Sequence, residues 1–452
     1  MNSMKKRWLP LVALVATFGM AGCSDNLFEV KNPGRILDAD LNTVKGVNAL
    51  VTGMSSDFSA GYDNMAFTTA ILSDEMVGSG SYFSTGRYRR GLFDSEDSDG
   101  YWNSVQRARW VAEGGLQRMA AIEGFSFAGN ESTARAYLFA GLANRWFGEN
   151  FCEVVFSKPY TDEAPGPGGE IDTGQALPRT AAFERAIPAL QAAMSNGSGD
   201  VVTAAHGGLA SAYVGLGNWS SAMSEAAQVP TNFVHYAVFS GNSGREESQI
   251  WNETHGRAEI SAWGTLAGTV GEGDPRTPWT DCSLGSCPSA NGADGETIHV
   301  RQDKYPDKGS DIPLVKGTDM RLLEAENALL TGDLGVFTSK INEVRAFHGL
   351  AAIAAVTSAG SLTGGTFGKD GTLGGASATS MTGWDVLDRE RHLTLWLEGR
   401  RLWDLHRWDH PHLNGGGIVY SATVARRSSC FPISDQECQV NDNVPSSKCV
   451  TM

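Results

Sequence analysis

Residues 388–408 constrain this chain more than any other stretch. Leu393, Trp396, Trp403 and Leu405 supply apolar mass. Arg391, Glu398, Arg400, Arg401, Asp404 and Arg407 lie among them at helical spacings. Glu398 stands three residues before Arg401, and Asp404 three before Arg407, so each pair shares a helix face. An ordinary surface helix segregates its apolar and charged sides; this run mixes them. The spacing predicts a helix over 384–408 that buries its stripe and satisfies its charges internally. That is a structural keystone, and it holds no nucleophile–base pair.

The N-terminus reads as a targeting segment. Lys5, Lys6 and Arg7 precede an apolar run from Trp8 to Met20, and Met20-Ala-Gly-Cys23 places small residues before a cysteine. The apolar run is short for a membrane span. The segment resembles a lipoprotein signal, which predicts loss of residues 1–22 and lipidation of Cys23; the alternative is a plain secretory signal with a chance cysteine. No second hydrophobic span follows, so acyl chains alone would hold the chain to a membrane. Of seven cysteines, six remain after Cys23: Cys152, Cys282, Cys287, Cys430, Cys438 and Cys449. An exported chain can oxidise an even set. Cys282 and Cys287 are close enough to clip one loop, and two of Cys430, Cys438 and Cys449 could tie down the C-terminal tail, but pairing stays open. No Cys-x-x-Cys pair or finger-spaced histidine favours zinc.

The net charge is −15, and removing residues 1–22, with three basic and no acidic residues, takes it to −18. Nucleic-acid binding needs a basic footprint, so that class is excluded. A neutral ligand or a protein partner fits better. The regular segments read as helix, often in pairs. Ala205, Leu209, Tyr213 and Leu216 form one stripe, Gly217-Asn218 a break, and Trp219, Ala222, Met223 and Ala226 a second stripe. Leu322, Ala325 and Leu329, then Thr331-Gly332-Asp333, then Phe337, Ile341 and Val344 repeat the plan. This is the pattern of tetratricopeptide units. The expected fold is mostly α, with tetratricopeptide-like helix pairs as a scaffold under long irregular ligand-binding loops. Scaffold segments fall near 40–58, 101–149, 180–228, 320–350 and 384–408 of a single body, 23–452. Loop-rich inserts fall near 60–100, 230–310 and 356–380.

Several motifs occur in one order along the chain. Asn32-Pro33 precedes Ala49-Leu-Val-Thr-Gly53; Leu72-Ser-Asp-Glu75 precedes Tyr101-Trp102; Arg135-Ala-Tyr137 leads to Trp146-Phe-Gly148. Asp274-Pro-Arg276, Lys304-Tyr305, Ile312-Pro-Leu, Leu322-Leu-Glu-Ala-Glu326 and Ile341-Asn-Glu-Val-Arg345 follow. The 388–408 run and Phe431-Pro-Ile433, Glu437 and Asn441 close the series. In this order the chain resembles the SusD/RagB family of outer-membrane nutrient-uptake lipoproteins. It departs from the family pattern at Glu149-Asn150 and at His392. The resemblance implies a lipid-anchored protein on the outer face of the outer membrane, lying over a SusC-like TonB-dependent transporter. Such a protein passes on oligosaccharide or another nutrient without altering it, and carries no cofactor or metal.

The chemistry of glycan binding suits part of the sequence. Sugar C–H faces stack on aromatic rings and hydroxyls pair with planar polar groups. Candidate ligand residues are Tyr82, Trp102, Trp251, Trp263 and Trp279, with Asp74, Arg87 and Asn103. Two other readings stand beside this one. The first is a helical-repeat adaptor that binds only protein. The second is a secreted glycoside hydrolase, since two acids can converge unseen in sequence. No Gly-x-Ser-x-Gly elbow or His-Glu-x-x-His motif supports an enzyme. His406, Asp409, His410 and His412 lie beside Pro411 and a glycine run, and are expected in an exposed turn. Asp94 to Gly100 is acid-rich but lacks the register of a calcium loop.

Overall fold

The computed structural model describes residues 38–156, 174–269, 273–364, 381–414 and 424–451. Cys23 and the rest of the N-terminal segment lie outside them. The described chain is mostly helical: α1 (Val47–Leu72), α2 (Phe83–Arg89), α3 (Ser95–Ala120), α4 (Glu131–Asn150), α5 (Thr180–Asn196), α6 (Gly199–Gly215), α7 (Trp219–Ala226), α8 (Gly317–Thr331), α9 (Leu334–Phe347), α10 (Gly383–Thr394), α11 (Arg401–Arg407) and α12 (Asp435–Val440). Eight short strands pair into four antiparallel two-stranded ladders.

Small residues set the helix packing. A Cβ on Gly141 of α4 would lie 2.5 Å from Leu190 of α5, and one on Gly215 of α6 would lie 2.4 Å from Phe183 of α5. Only glycine lets these helices approach so closely. The two sequence-predicted hairpins form as α6/α7 and α8/α9. Each turns on a glycine with positive φ, Gly217 at 71° and Gly332 at 79°. The next residue caps the returning helix in both: Asn218 accepts the Ser221 N–H, and Asp333 accepts the Val336 N–H. Leu322, Ala325, Leu329, Phe337, Ile341 and Val344 share one buried cluster with Val386 and Leu387 of α10.

Several sequence-derived boundaries move. The helix expected over 40–58 continues to Leu72, because α1 is buried along most of its length and packs against α3 and α4. The acid-rich Asp94–Gly100 stretch is a helix start. Asp94 caps α3 and Asp97 reaches back to the Asp94 N–H in a capping box.

The 388–408 run is not one helix, and its charges are satisfied only partly within it: Asp404 pairs with Arg407 at 2.9 Å as the spacing predicts, whereas Glu398 does not pair with Arg401. It breaks between α10 and α11, where Leu397 takes φ 59° and Gly399 φ 66°. Leucine is unfavourable there, and surrounding polar groups hold it. Glu75 accepts the Leu397 N–H at 2.9 Å, and the Tyr62 hydroxyl donates to the Glu398 carbonyl at 2.6 Å. Glu398 pairs with Lys304 at 2.7 Å and Lys316 at 2.6 Å, not with Arg401. Arg401 reaches Asp74 at 2.6 Å and Asp388 at 2.5 Å. Arg391 bridges Asp404 at 2.7 Å and Asp319 at 3.0 Å, while Arg400 meets Glu149 at 3.1 Å. The keystone therefore joins α1's end, α4, α8 and the 300–316 segment to itself. Buried ions removed from such a lattice are costly, because each leaves an uncompensated charge.

The six cysteines pair as Cys152–Cys430, Cys282–Cys287 and Cys438–Cys449. The first spans 278 residues and fastens the end of α4 to the closing segment.

Candidate functional site

Four sequence-predicted aromatics fall on one loop lobe. Its frame is two ladders: Val77–Gly78 against Ile260–Ser261, and Trp279–Asp281 against Val300–Gln302. A short helix, Gln249–Trp251, enters the lobe. Asp63 of α1 accepts the Gln249 and Ile250 N–H groups, and Ser248 accepts the Trp251 N–H at 3.3 Å. A π-turn over Asn252–Gly256 follows, and then Ala258 at φ 54°. Widened turns and left-handed non-glycine residues concentrate where side chains must be re-aimed. Here they project Trp251, His255 and Arg257.

The Trp251 and His255 rings stack with centroids 5.7 Å apart and planes 12° from parallel. The Lys308 ammonium lies 5.4 Å from the Trp251 centroid, and the Trp251 indole N–H donates to the Pro306 carbonyl at 3.1 Å. The Arg257 guanidinium sits 4.6 Å over Tyr82. Tyr82 is 38% exposed and its neighbour Phe83 81% exposed. Asp303 lies 3.7 Å from His255 and 2.9 Å from Arg301, and it accepts the Thr280 hydroxyl. Gln302 donates to Thr254 at 3.0 Å, which ties the two halves of the lobe together.

Burial pushes the His255 imidazole down to about 4, with Arg301 adding to the effect, so its ring is neutral at pH 7. Burial pushes Glu253 up to about 7. Glu253 is 2% exposed and Glu259 1% exposed. Glu259 is occupied by the Ser81 N–H and hydroxyl, both at 3.1 Å. The lobe thus offers flat rings, two cations and a hydrogen-bonding rim, while its glutamates face inward.

The other candidates separate. Trp263 and Trp279 are half-buried and pack on the main core, so their rings brace the lobe. Asp74 lies in a buried ion cluster: two Arg401 nitrogens at 2.6 and 2.7 Å, and His412 at 2.5 Å. It has no free face for a solute. Arg87 clamps the α3 capping box through Asp94 at 2.6 Å and Asp97 at 3.2 Å. Trp102 is 2% exposed, edge-on to Phe147 and Phe151. Asn103 is exposed and donates to Gln436 at 3.1 Å. Trp102 and Asn103 border a separate groove of 490 Å3 between α3 and α12.

The turn expected to expose His410 and His412 is buried instead. His410 lies 3.1 Å from Asp388, and His412 contacts Asp74. The carboxylates of the keystone draw both rings inward. Sequence reasoning named Phe83 among the loop aromatics beside Tyr82 but missed His255, Arg257 and Lys308. His255 and Arg257 had no signal because a π-turn shifts the register that places them, and Lys308 reaches Trp251 only through the tertiary fold.

Residues 302–446 match the sequence model of the SusD family. No curated protein is significantly similar to the chain. Solved structures share the fold at low identity. A SusD-like carbohydrate binding protein from Bacteroides vulgatus is 14% identical, with a TM-score of 0.62 over 91% of this chain and 98% of that one. A SusD-like protein from Bacteroides fragilis is 11% identical, with a TM-score of 0.63 over 91% and 98% of the two chains. A structure solved with xylogluco-oligosaccharide is 14% identical, with a TM-score of 0.56 over 79% and 82%.

Proposed function

We propose that this chain, whose residues 302–446 match the SusD family model and whose fold is that of SusD-like structures, is a SusD/RagB-type protein, a non-catalytic binder of oligosaccharide that delivers its ligand to a TonB-dependent outer-membrane transporter. The observation that carries the proposal is the juxtaposition of Tyr82 under Arg257 with the Trp251–His255 stack on one lobe. Pyranose faces pack on such rings, and the charged and amide groups beside them orient hydroxyls. The two fold relatives named for carbohydrate binding or solved with a sugar point the same way.

Two features favour binding without hydrolysis. A general acid must touch the glycosidic oxygen. Glu253 and Glu259 are buried and turned into the lobe, and the partly exposed Asp303, 3.7 Å from His255, is engaged by Arg301 at 2.9 Å and by the Thr280 hydroxyl. Attachment is proposed through acyl chains on Cys23, with the body at the cell surface. No helix among the described residues is long and apolar enough to cross a membrane.

The test is retention of the protein in native gels cast with neutral polysaccharides. Tyr82→Ala with Trp251→Ala should weaken retention about tenfold or more, each ring contributing about 0.5–1.5 kcal/mol beyond its buried area. Co-purification with the transporter should persist. Unchanged retention on every glycan that holds the wild type counts against the lobe as the binding surface, and a wild type that no glycan retains favours a protein adaptor. Release of sugar from labelled polysaccharide would favour the hydrolase.

A further inference from the structure

The groove between α3 and α12 is built from different elements and has chemistry of its own. Asn103, Gln106, Arg107 and Trp110 follow one another on a single face of α3, and Glu437 of α12 stands opposite. The 490 Å3 of space lies within the range of roughly 300–1,000 Å3 usual for small-molecule sites. Its floor is rigid. Trp102 is locked in the core, and Arg109, 1% exposed, is held by Gln106 at 2.8 Å and Glu113 at 2.8 Å. Gln106 donates its own amide to the Val155 carbonyl at 2.7 Å. The opposite wall is also fixed, since Asn441 donates to Glu437 at 2.6 Å and the Cys438–Cys449 disulfide holds the adjoining turn.

The groups left over define the ligand. Trp110 is 39% exposed and its indole N–H has no protein acceptor among the described residues. Arg107 uses its Nε on Asp57 at 2.9 Å, which leaves its terminal N–H groups to solvent. Glu437 has one oxygen, and Asn103 its amide oxygen, without a protein donor among the described residues. An aromatic face flanked by both donors and acceptors matches a polyhydroxylated ring, whose hydroxyls both give and accept hydrogen bonds. Both arginines that line the groove are already paired, Arg107 with Asp57 and Arg109 with Glu113, a carboxylate stands opposite, and the whole chain carries −15, so an anionic glycan is disfavoured.

We propose that this groove is a second binding site, separate from the loop lobe, for a neutral pyranose chain. Its occupant adds avidity without a new contact at the lobe, because a long polysaccharide held at one site has its second encounter at high effective concentration.

The experiment uses the full chain labelled with 5-fluorotryptophan, with the Trp110 resonance identified by its disappearance in Trp110→Phe. Cellohexaose, maltohexaose, mannohexaose and a xyloglucan heptasaccharide are titrated separately to about 10 mM, enough to detect millimolar binding. The Trp110 resonance should move with at least one sugar and should move equally in the Tyr82→Ala, Trp251→Ala double variant. Arg107→Ala with Glu437→Gln, both changes at the rim, should weaken that response about tenfold. A Trp110 resonance that stays fixed with all four sugars overturns the proposal. So does a response that vanishes in the lobe variant, since it is then relayed from the lobe, and so does an undiminished affinity in the rim variant. Failure of the lobe reading leaves a different signature: retention in gels is unaffected by the lobe variant while the Trp110 response remains.

Discussion

Replacing Asp74 by alanine separates a structural carboxylate from a ligand-binding one. Burial alone would raise the Asp74 carboxyl, but Arg401, His392 and His412 outweigh it and hold the group well below the usual carboxylate range. Arg401 is 2% exposed and donates two bonds to Asp74, at 2.6 and 2.7 Å. Without them its one remaining counterion among the described residues is Asp388, at 2.5 Å. Removing one partner of a buried ion pair costs about 3–5 kcal/mol. Unfolding entropy of about 2.1 cal/mol/K per residue, over roughly 430 residues, gives about 0.9 kcal/mol/K. The expected fall in Tm is therefore about 3–6 °C, measured by scanning calorimetry. Asp74→Asn keeps an acceptor and should lie between. Glycan retention measured well below Tm should stay at the wild-type value. An Asp74→Ala protein that melts with the wild type but no longer retains glycan would refute this reasoning, because the carboxylate would then act on the solute.

Stability should peak near pH 6.5. Asp63, Glu75 and Glu253 are pushed by burial to about 7, 8 and 7, so their contribution is complete below about pH 4 and is lost as pH rises to 7–8. His235, His255, His348, His392 and His406 are pushed by burial to about 4, so the unfolded chain takes up their protons first and stability is lost as pH falls below about 6.5. A Tm profile from pH 4.5 to 8 that rises without a maximum would contradict these assignments. The disulfides should rank by loop length: the chain-entropy relation gives about 5–6 kcal/mol for the 278-residue Cys152–Cys430 loop and about 3 kcal/mol for the 11-residue Cys438–Cys449 loop. Serine pairs at the two positions, compared by denaturant unfolding, check the order.

Local patterns were legible where one element's own residues settle the structure. The α6/α7 and α8/α9 hairpins follow from apolar periodicity plus a glycine that tolerates positive φ and a side chain that caps the next helix. The ring-rich 251–279 stretch was visible as aromatics in poorly periodic sequence. Asp74 and Arg87 were misplaced for the same reason in both cases. A carboxylate or guanidinium looks alike in sequence whether it faces solvent or an ion partner 327 or 7 positions away.

The sequence by itself determined the helical scaffold, its turn positions, and the supply of rings and charges, because those depend on interactions a few residues long. The tertiary structure decided which charges serve the fold and which rings face outward. The 388–408 run shows the physical reason. Asp404 and Arg407 pair along their helix as spaced, yet beside the strained turn at Leu397 Arg401, Arg400, Glu398 and Arg391 reach outward to Asp74, Glu149, Lys304 and Asp319, because buried charge must find its counterion wherever the rest of the chain supplies one.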